Sequence, residues 1–208
     1  MINIEQILMA ALQERCVFHS EADFQHHLAW HIHNELGNGE IRLGRPFLKS
    51  DSNHREYCDI VLKSPSRIGI ELKYKTRSMS ININGECFEL KNQAAQDLGR
   101  YDFLKDVSRL KRWCIENRIG SGYAILLTND RLYWTCPKKT NTADKDFRIH
   151  NRTVSGKLAW GSGASAGTTK GREARIVLHD KYNLEWKDTP RHDFKYLLLK
   201  INSKLSWT

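Results

Sequence analysis

The sequence contains no run approaching the ~18 uninterrupted apolar residues of a membrane span, so no membrane partner is expected. Its opening segment, MINIEQILMAALQERC, has glutamates where a signal peptide carries basic residues, and no small-residue cleavage site. The protein is therefore expected to be cytoplasmic rather than secreted. The five cysteines (Cys16, Cys58, Cys87, Cys114, Cys136) are odd in number, widely spaced and without a C-x-x-C. That argues against a disulfide framework or a cysteine zinc site and fits reduced thiols. There is no internal repeat. The tract WGSGASAGTTKGR (160–172) lacks the Gly-Lys-Ser/Thr ending of a P-loop and follows no clear strand, so a flexible loop is expected there. No Ser-His-Asp or Cys-His arrangement has local support.

What remains is an ordinary globular composition with an unusual charge. The 208 residues suffice for one domain, and 40% are apolar and 27% charged. Lysine and arginine outnumber aspartate and glutamate by 33 to 24, giving +9 and a pI near 9.4. The excess is uneven: residues 1–90 are net −2 and residues 91–208 net +11. A basic second half suggests phosphate contacts, although a solvated basic face is the plain alternative.

Hydrophobic spacing predicts a short helix over 2–15 (Ile4, Ile7, Leu8, Leu12). Ser20 then reads as an N-cap, with Asp23 three residues on, opening a helix that ends at Gly37 or Gly39. Residues 41–48 read as extended, and 55–62 and 67–75 as strands around a turn at Pro65. Asn84-Gly85 lies between alternating runs and predicts a hairpin. Residues 91–118 carry the longest helical pattern (Ala94, Leu98, Tyr101, Leu104, Val107, Leu110, Cys114), and YAILLT (123–128) reads as a buried strand. Beyond Cys136 only 174–180 and 194–201 suggest regular elements. Helix, strands, helix, strand is an α/β order. One domain over 1–208 is expected, with its core at about 20–128 and a less regular C-terminal extension over 129–208.

The pattern that carries chemistry is Glu71-Leu72-Lys73, twelve residues after Asp59. On a strand, Glu71 and Lys73 project from one face. A three-residue loop at Ser64-Pro65-Ser66 would place Asp59 opposite Glu71, with Cβ atoms ~4.5–5.5 Å apart. Two such carboxylates and the Leu72 carbonyl suit Mg²⁺ (or Mn²⁺). Lys73 beside them would orient or help deprotonate a water attacking a phosphodiester. Glu21, at the start of the second helix and in line with Gln25, Leu28 and Ile32, is placed to reach the same edge. The plain alternatives are a cross-strand salt bridge and a helix-dipole carboxylate.

The order helix Glu21, strand Asp59, then Glu71-Leu72-Lys73 resembles the PD-(D/E)XK phosphodiesterases, the restriction-endonuclease-like nucleases, over residues 20–128. The resemblance implies a mixed β-sheet core flanked by helices and Mg²⁺-dependent cleavage of DNA, less often RNA. It makes Asp59, Glu71 and the Leu72 carbonyl metal ligands, Lys73 the catalytic lysine and Glu21 an auxiliary carboxylate. Cys58 stands where the namesake proline would be, and Asp97 occupies the spacing before Tyr101 at which some members carry glutamine, with Gln93 and Gln96 at other offsets.

Lys75 and Arg77 continue the strand, and Lys105, Arg109 and Arg112 form a stripe on the long helix. These are candidate nucleic-acid contacts, with Asp102 and Asp106 as alternative salt-bridge partners. His26, His27, His31 and His33 cluster on the second helix. His27 and His31 are spaced i, i+4, but no glutamate stands between them as in HExxH and no third ligand is evident, so packing or surface histidines are expected. The expectation is thus a nuclease. A catalytically silent nucleic-acid-binding protein on the same fold and a non-enzymatic interaction protein are its rivals. The oligomeric state, a homodimer included, is open.

Overall fold

The apolar stripe of the first segment forms α1 (Ile4–Glu14), with Ile4, Ile7, Leu8 and Leu12 buried. The computed structural model describes residues 2–37, 39–49, 53–63, 66–191 and 193–203. The turn expected at Ser64 and Pro65 lies outside the described residues. Ser20 caps α2 (Glu21–Leu36) by accepting the Asp23 amide at 3.1 Å. The Asp23 carboxylate returns to the His19 amide (2.9 Å) rather than to Ser20, a capping box displaced by one residue.

Six strands make one mixed sheet in the order β1-β2-β3-β6-β10-β9. They are β1 (Glu40–Leu48), β2 (Arg55–Lys63), β3 (Ile68–Lys75), β6 (Ser121–Thr128), β9 (Trp186–Asp188) and β10 (Lys195–Asn202). β3 and β6 run parallel; the other neighbours are antiparallel. The expected hairpin is β4 (Met79–Ile83) and β5 (Glu86–Leu90), with Asn84 and Gly85 at φ +54° and +86°, the signature of a type I′ turn. α1, α2 and this hairpin cover one face of the sheet. α3 (Gln96–Ile115) covers the other, beside the hairpin of β7 (Arg152–Leu158) and β8 (Ile176–Leu184). The protein is a single compact mixed α/β domain with helices on both faces of its central sheet.

Three details differ from the sequence expectation. The long helix starts at Gln96, not 91. The Gln93 amide and Lys91 carbonyl instead bond to Thr76 (2.8 and 2.7 Å), and Ala95 adopts φ +64°, so Ala94 is exposed outside the helix. The region after 128 is not an appendage, because β10 pairs with β6 over eight residues in the interior of the sheet. A buried ion pair from Lys111 to Asp180 (2.8 Å) fastens α3 to β8. Finally, the glycine tract holds a short helix, α4 (Ala166–Thr169), and is anchored at its ends: Trp160 Nε1 donates to the Arg172 carbonyl (2.8 Å) and Arg172 pairs with Asp102 (2.7 Å).

The feature that shapes the site is a rotation in β1 and β2. Their pairing runs from Glu40↔Lys63 to Leu48↔Arg55 but skips Gly44 and Asp59. Ile60 and Leu62 pack toward α1 and α2, whereas Val61 and Cys58, three residues apart, both pack toward α3. A regular strand would put those two on opposite faces, so the backbone turns over at Asp59. Gly44, opposite, has φ +57° with open space around it. A side chain there meets no clash but must adopt the left-handed conformation. Gly44→Ala is expected to lower stability by about 1–2 kcal/mol, and Gly44→Asn by less. Urea titration of both variants checks this.

Candidate functional site

Because β2 turns over at Asp59, its ladder with β3 ends at Ile60↔Ile70. Asp59 and Glu71 would form the next pair, but they do not. Instead, the edge amides of β3 bond to side chains. Leu72 N donates to Asp59 Oδ2 (2.7 Å), and Tyr74 N donates to Glu21 Oε2 (2.8 Å). The freed Asp59 carbonyl accepts from Gln25 Nε2 on α2 (2.5 Å). A buried amide without a partner costs ~1–3 kcal/mol, so each carboxylate is held by a backbone group that needs it.

Glu71 and Lys73 do share a face, the one that meets α3. Glu71 is 2% exposed and is gripped by Arg109 through two contacts, Nε to Oε1 at 3.2 Å and Nη2 to Oε2 at 2.8 Å. Arg109 also meets Asp106 Oδ1 (2.8 Å), and Asp106 Oδ2 meets Lys73 Nζ (2.7 Å). Lys73 Nζ completes the chain by donating to the Leu72 carbonyl (3.0 Å). α3 comes close enough for this because Leu110 rests on Gly69 and Gly122, neighbours across β3 and β6. At Gly122 a Cβ would lie 3.0 Å from that of Leu110.

Four carboxylates (Glu21, Asp59, Glu71, Asp106) thus stand against two cations. Burial, then the charges of Asp106 and Asp59, push the Glu71 carboxyl well above its ordinary value against the pull of Arg109. Burial alone would lower the Lys73 ammonium, but Asp106, Glu21 and Asp59 outweigh it and hold Lys73 above its ordinary value. Lys73 is therefore held in its charged form by the carboxylates around it.

The other candidates fall in several places. Arg109 lies inside the Glu71–Asp106 network, so for this residue the salt-bridge alternative through Asp106 is the one the structure contains. Arg112 pairs with Glu56 and, at 3.7 Å, with Glu116. Lys105 is exposed and does not share Asp102, which is taken by Arg172. Lys105, Arg109, Arg112 and Arg175 line a cleft of about 260 Å³ together with Ser108 and Glu56. Lys75 ends β3 opposite Thr128. Arg77 donates its amide to Asn129 (2.7 Å) at the mouth of a second cleft of about 400 Å³. Gln96 donates to Asp130 (2.8 Å) and Asp97 accepts the Leu98 amide (2.9 Å). Gln25 is a participant that sequence reasoning did not assign, and Asp106 entered there only as a salt-bridge partner of the stripe, not as a neighbour of Lys73. Asp106 carried a signal: it lies at an inward position between Phe103 and Leu110, where an acidic residue has to be paired.

No family model, curated protein or solved structure matches the chain, so the site is read from its own geometry.

Arg109→Ala would leave Glu71 buried between carboxylates, and removing one partner of such a pair costs about 3–5 kcal/mol. The pH dependence has a definite sign. Glu71 titrates higher in the folded than in the unfolded chain, so its contribution is complete below the unfolded value and falls as pH rises through the folded one. Arg109→Ala raises the folded value further. Its deficit relative to wild type should therefore be larger at about pH 8 than at about pH 5, measured by urea unfolding.

Proposed function

We propose that this chain is a metal-dependent nuclease that hydrolyses phosphodiester bonds in nucleic acid, specifically DNA, on a restriction-endonuclease-like version of its mixed α/β fold. The observation that carries the reading is that Asp59, the Leu72 carbonyl and Lys73 meet along one strand edge with Glu21 bonded to the same edge, while Glu71, next in β3, lies under Arg109 on the α3 side. The donor set fits Mg²⁺ or Mn²⁺: the ligands would be Asp59, Glu71 and the Leu72 carbonyl, all hard oxygens. When bound, such an ion lowers the pKa of water and polarises a phosphate.

The chain's own residues account for the rest. Lys73, held charged by its carboxylate neighbours, would hold a phosphate oxygen or orient water at the edge. Glu21 and Asp59 fix β3 through its amides. Lys105 and Arg112 line the cleft of about 260 Å³ and, with Lys75 and Arg77, would hold a phosphate backbone without reading sequence, whereas Arg109 is engaged by Glu71 and Asp106.

One observation favours a second reading, a silent nucleic-acid binder: Arg109 and Lys73 already neutralise Glu71 and Asp106. Cleavage of plasmid DNA with Mg²⁺ or Mn²⁺, run beside a gel shift, separates the two. Lys73→Ala and Glu71→Ala are expected to reduce divalent-dependent cleavage by about 10²-fold or more with circular dichroism unchanged. Cleavage that survives both substitutions would refute this active site. Salt-sensitive binding without cleavage in the wild type would establish the binder.

A further inference from the structure

A second group of ligating side chains lies on the opposite face of the sheet from Glu71. His27 and His31, one turn apart on α2, have ring centroids 4.7 Å apart. Beside them, in the last turn of α1, stands Glu14. One ligating atom from each of these three side chains lies within 4.8 Å of the others. Glu14 is the third ligand that the linear sequence conceals, because it precedes His27 by thirteen residues and belongs to another helix.

Two details point to a cation rather than to packing. His31 Nε2 lies 3.2 Å from Glu14 Oε2, yet among the described residues this buried nitrogen makes no hydrogen bond of acceptable geometry. The two atoms face each other at an ion-pair distance. Their separation is that of two ligands along one edge of a zinc tetrahedron, since bonds of ~2.0–2.1 Å put neighbouring ligands ~3.3 Å apart. His27 Nε2 contacts the Ala11 carbonyl at 3.0 Å. A carbonyl can only accept, so Nε2 carries the proton and Nδ1 keeps its lone pair. A backbone carbonyl fixing the tautomer in this way is the usual outer partner of a metal-binding imidazole.

We propose that Glu14, His27 and His31 bind one zinc ion, with water in the fourth position. Two imidazoles and one carboxylate are a zinc donor set. The ion would join the end of α1 to the middle of α2, the helix that carries Glu21 and Gln25 to the edge of β3. The site is independent of the carboxylate edge and of any activity assigned to it.

The test uses chelator-treated full-length protein titrated with Zn²⁺ by calorimetry, and with Co²⁺ as a spectroscopic probe. One tight-binding equivalent should be taken up at this site, Co²⁺ there should show the intense visible bands of four-coordinate cobalt, and Zn²⁺ should raise Tm. His31→Ala and His27→Ala should each weaken binding on the order of 100-fold or more and abolish the bands. Asp59→Asn should leave both unchanged, which separates this site from the carboxylate edge. Should the histidine variants fail to fold, Glu14→Ala decides: its side chain is 67% exposed, so the fold should persist while zinc affinity falls at least tenfold. Absence of four-coordinate cobalt in the wild type, four-coordinate cobalt bands that survive in a folded His27→Ala, His31→Ala double variant, or unchanged affinity in Glu14→Ala would each overturn the proposal.

Discussion

Two backbone amides, those of Leu72 and Tyr74, are the constraint on which the arrangement of the site depends. They belong to a strand that runs through the centre of the sheet, yet their neighbour β2 has turned away. A buried donor cannot be left without an acceptor, and here the acceptors are the carboxylates of Asp59 and Glu21. One comes from the departing strand and the other from a helix on the far face. The backbone of β3 thereby gathers acidic groups from separate elements to a single line, with hydrogen bonds in place of flexible side-chain encounters. Gln25 on the Asp59 carbonyl shows the same accounting from the other side.

The charges that follow are held by burial as much as by pairing. Removing Glu71 from water is unfavourable, and the Arg109 fork returns part of that cost through two directed contacts. Asp106 links this pair to Lys73, so two anions and two cations alternate along α3 and β3. The pair of glycines under Leu110 is part of the electrostatics, because a helix standing farther off would leave the Arg109 and Asp106 side chains short of the sheet. Packing sets the distance, and the distance sets the charge.

How much of this is legible in the sequence depends on whether the signal is local. The Ser20 cap, the Asn84-Gly85 turn and the shared face of Glu71 and Lys73 follow from spacing within a few residues, and the structure contains them. The rotation at Gly44 and Asp59 does not follow: an isolated glycine in IRLGRPFL reads as extended, and its role emerges only when it is set opposite Asp59. Asp106 and Arg109 look like one member each of a solvated charge pattern until the helix is docked. Glu14 reaches His31 across two helices. The late start of α3 was hidden for a similar reason, since the competitor for Lys91 and Gln93 is Thr76, at the end of a different strand. β7 was missed because its apolar residues, Val154 and Leu158, are too sparse to give a pattern.

The placement of β10 has a consequence for how the molecule assembles. β6 carries β3 on one edge from within the first 128 residues, but its other edge is filled by a strand that begins at Lys195. During synthesis, β6 therefore emerges with one row of hydrogen-bonding groups unpaired and waits for roughly 70 more residues. Closing so long a loop is entropically slow, and an open edge of Ala124, Ile125, Leu126 and Leu127 is a template for pairing with other chains. The α3 face of this half-built sheet is protected early by α3, whereas its exposed rim is sealed only when β10 arrives. The most exposed moment in the life of this fold thus precedes its last strand.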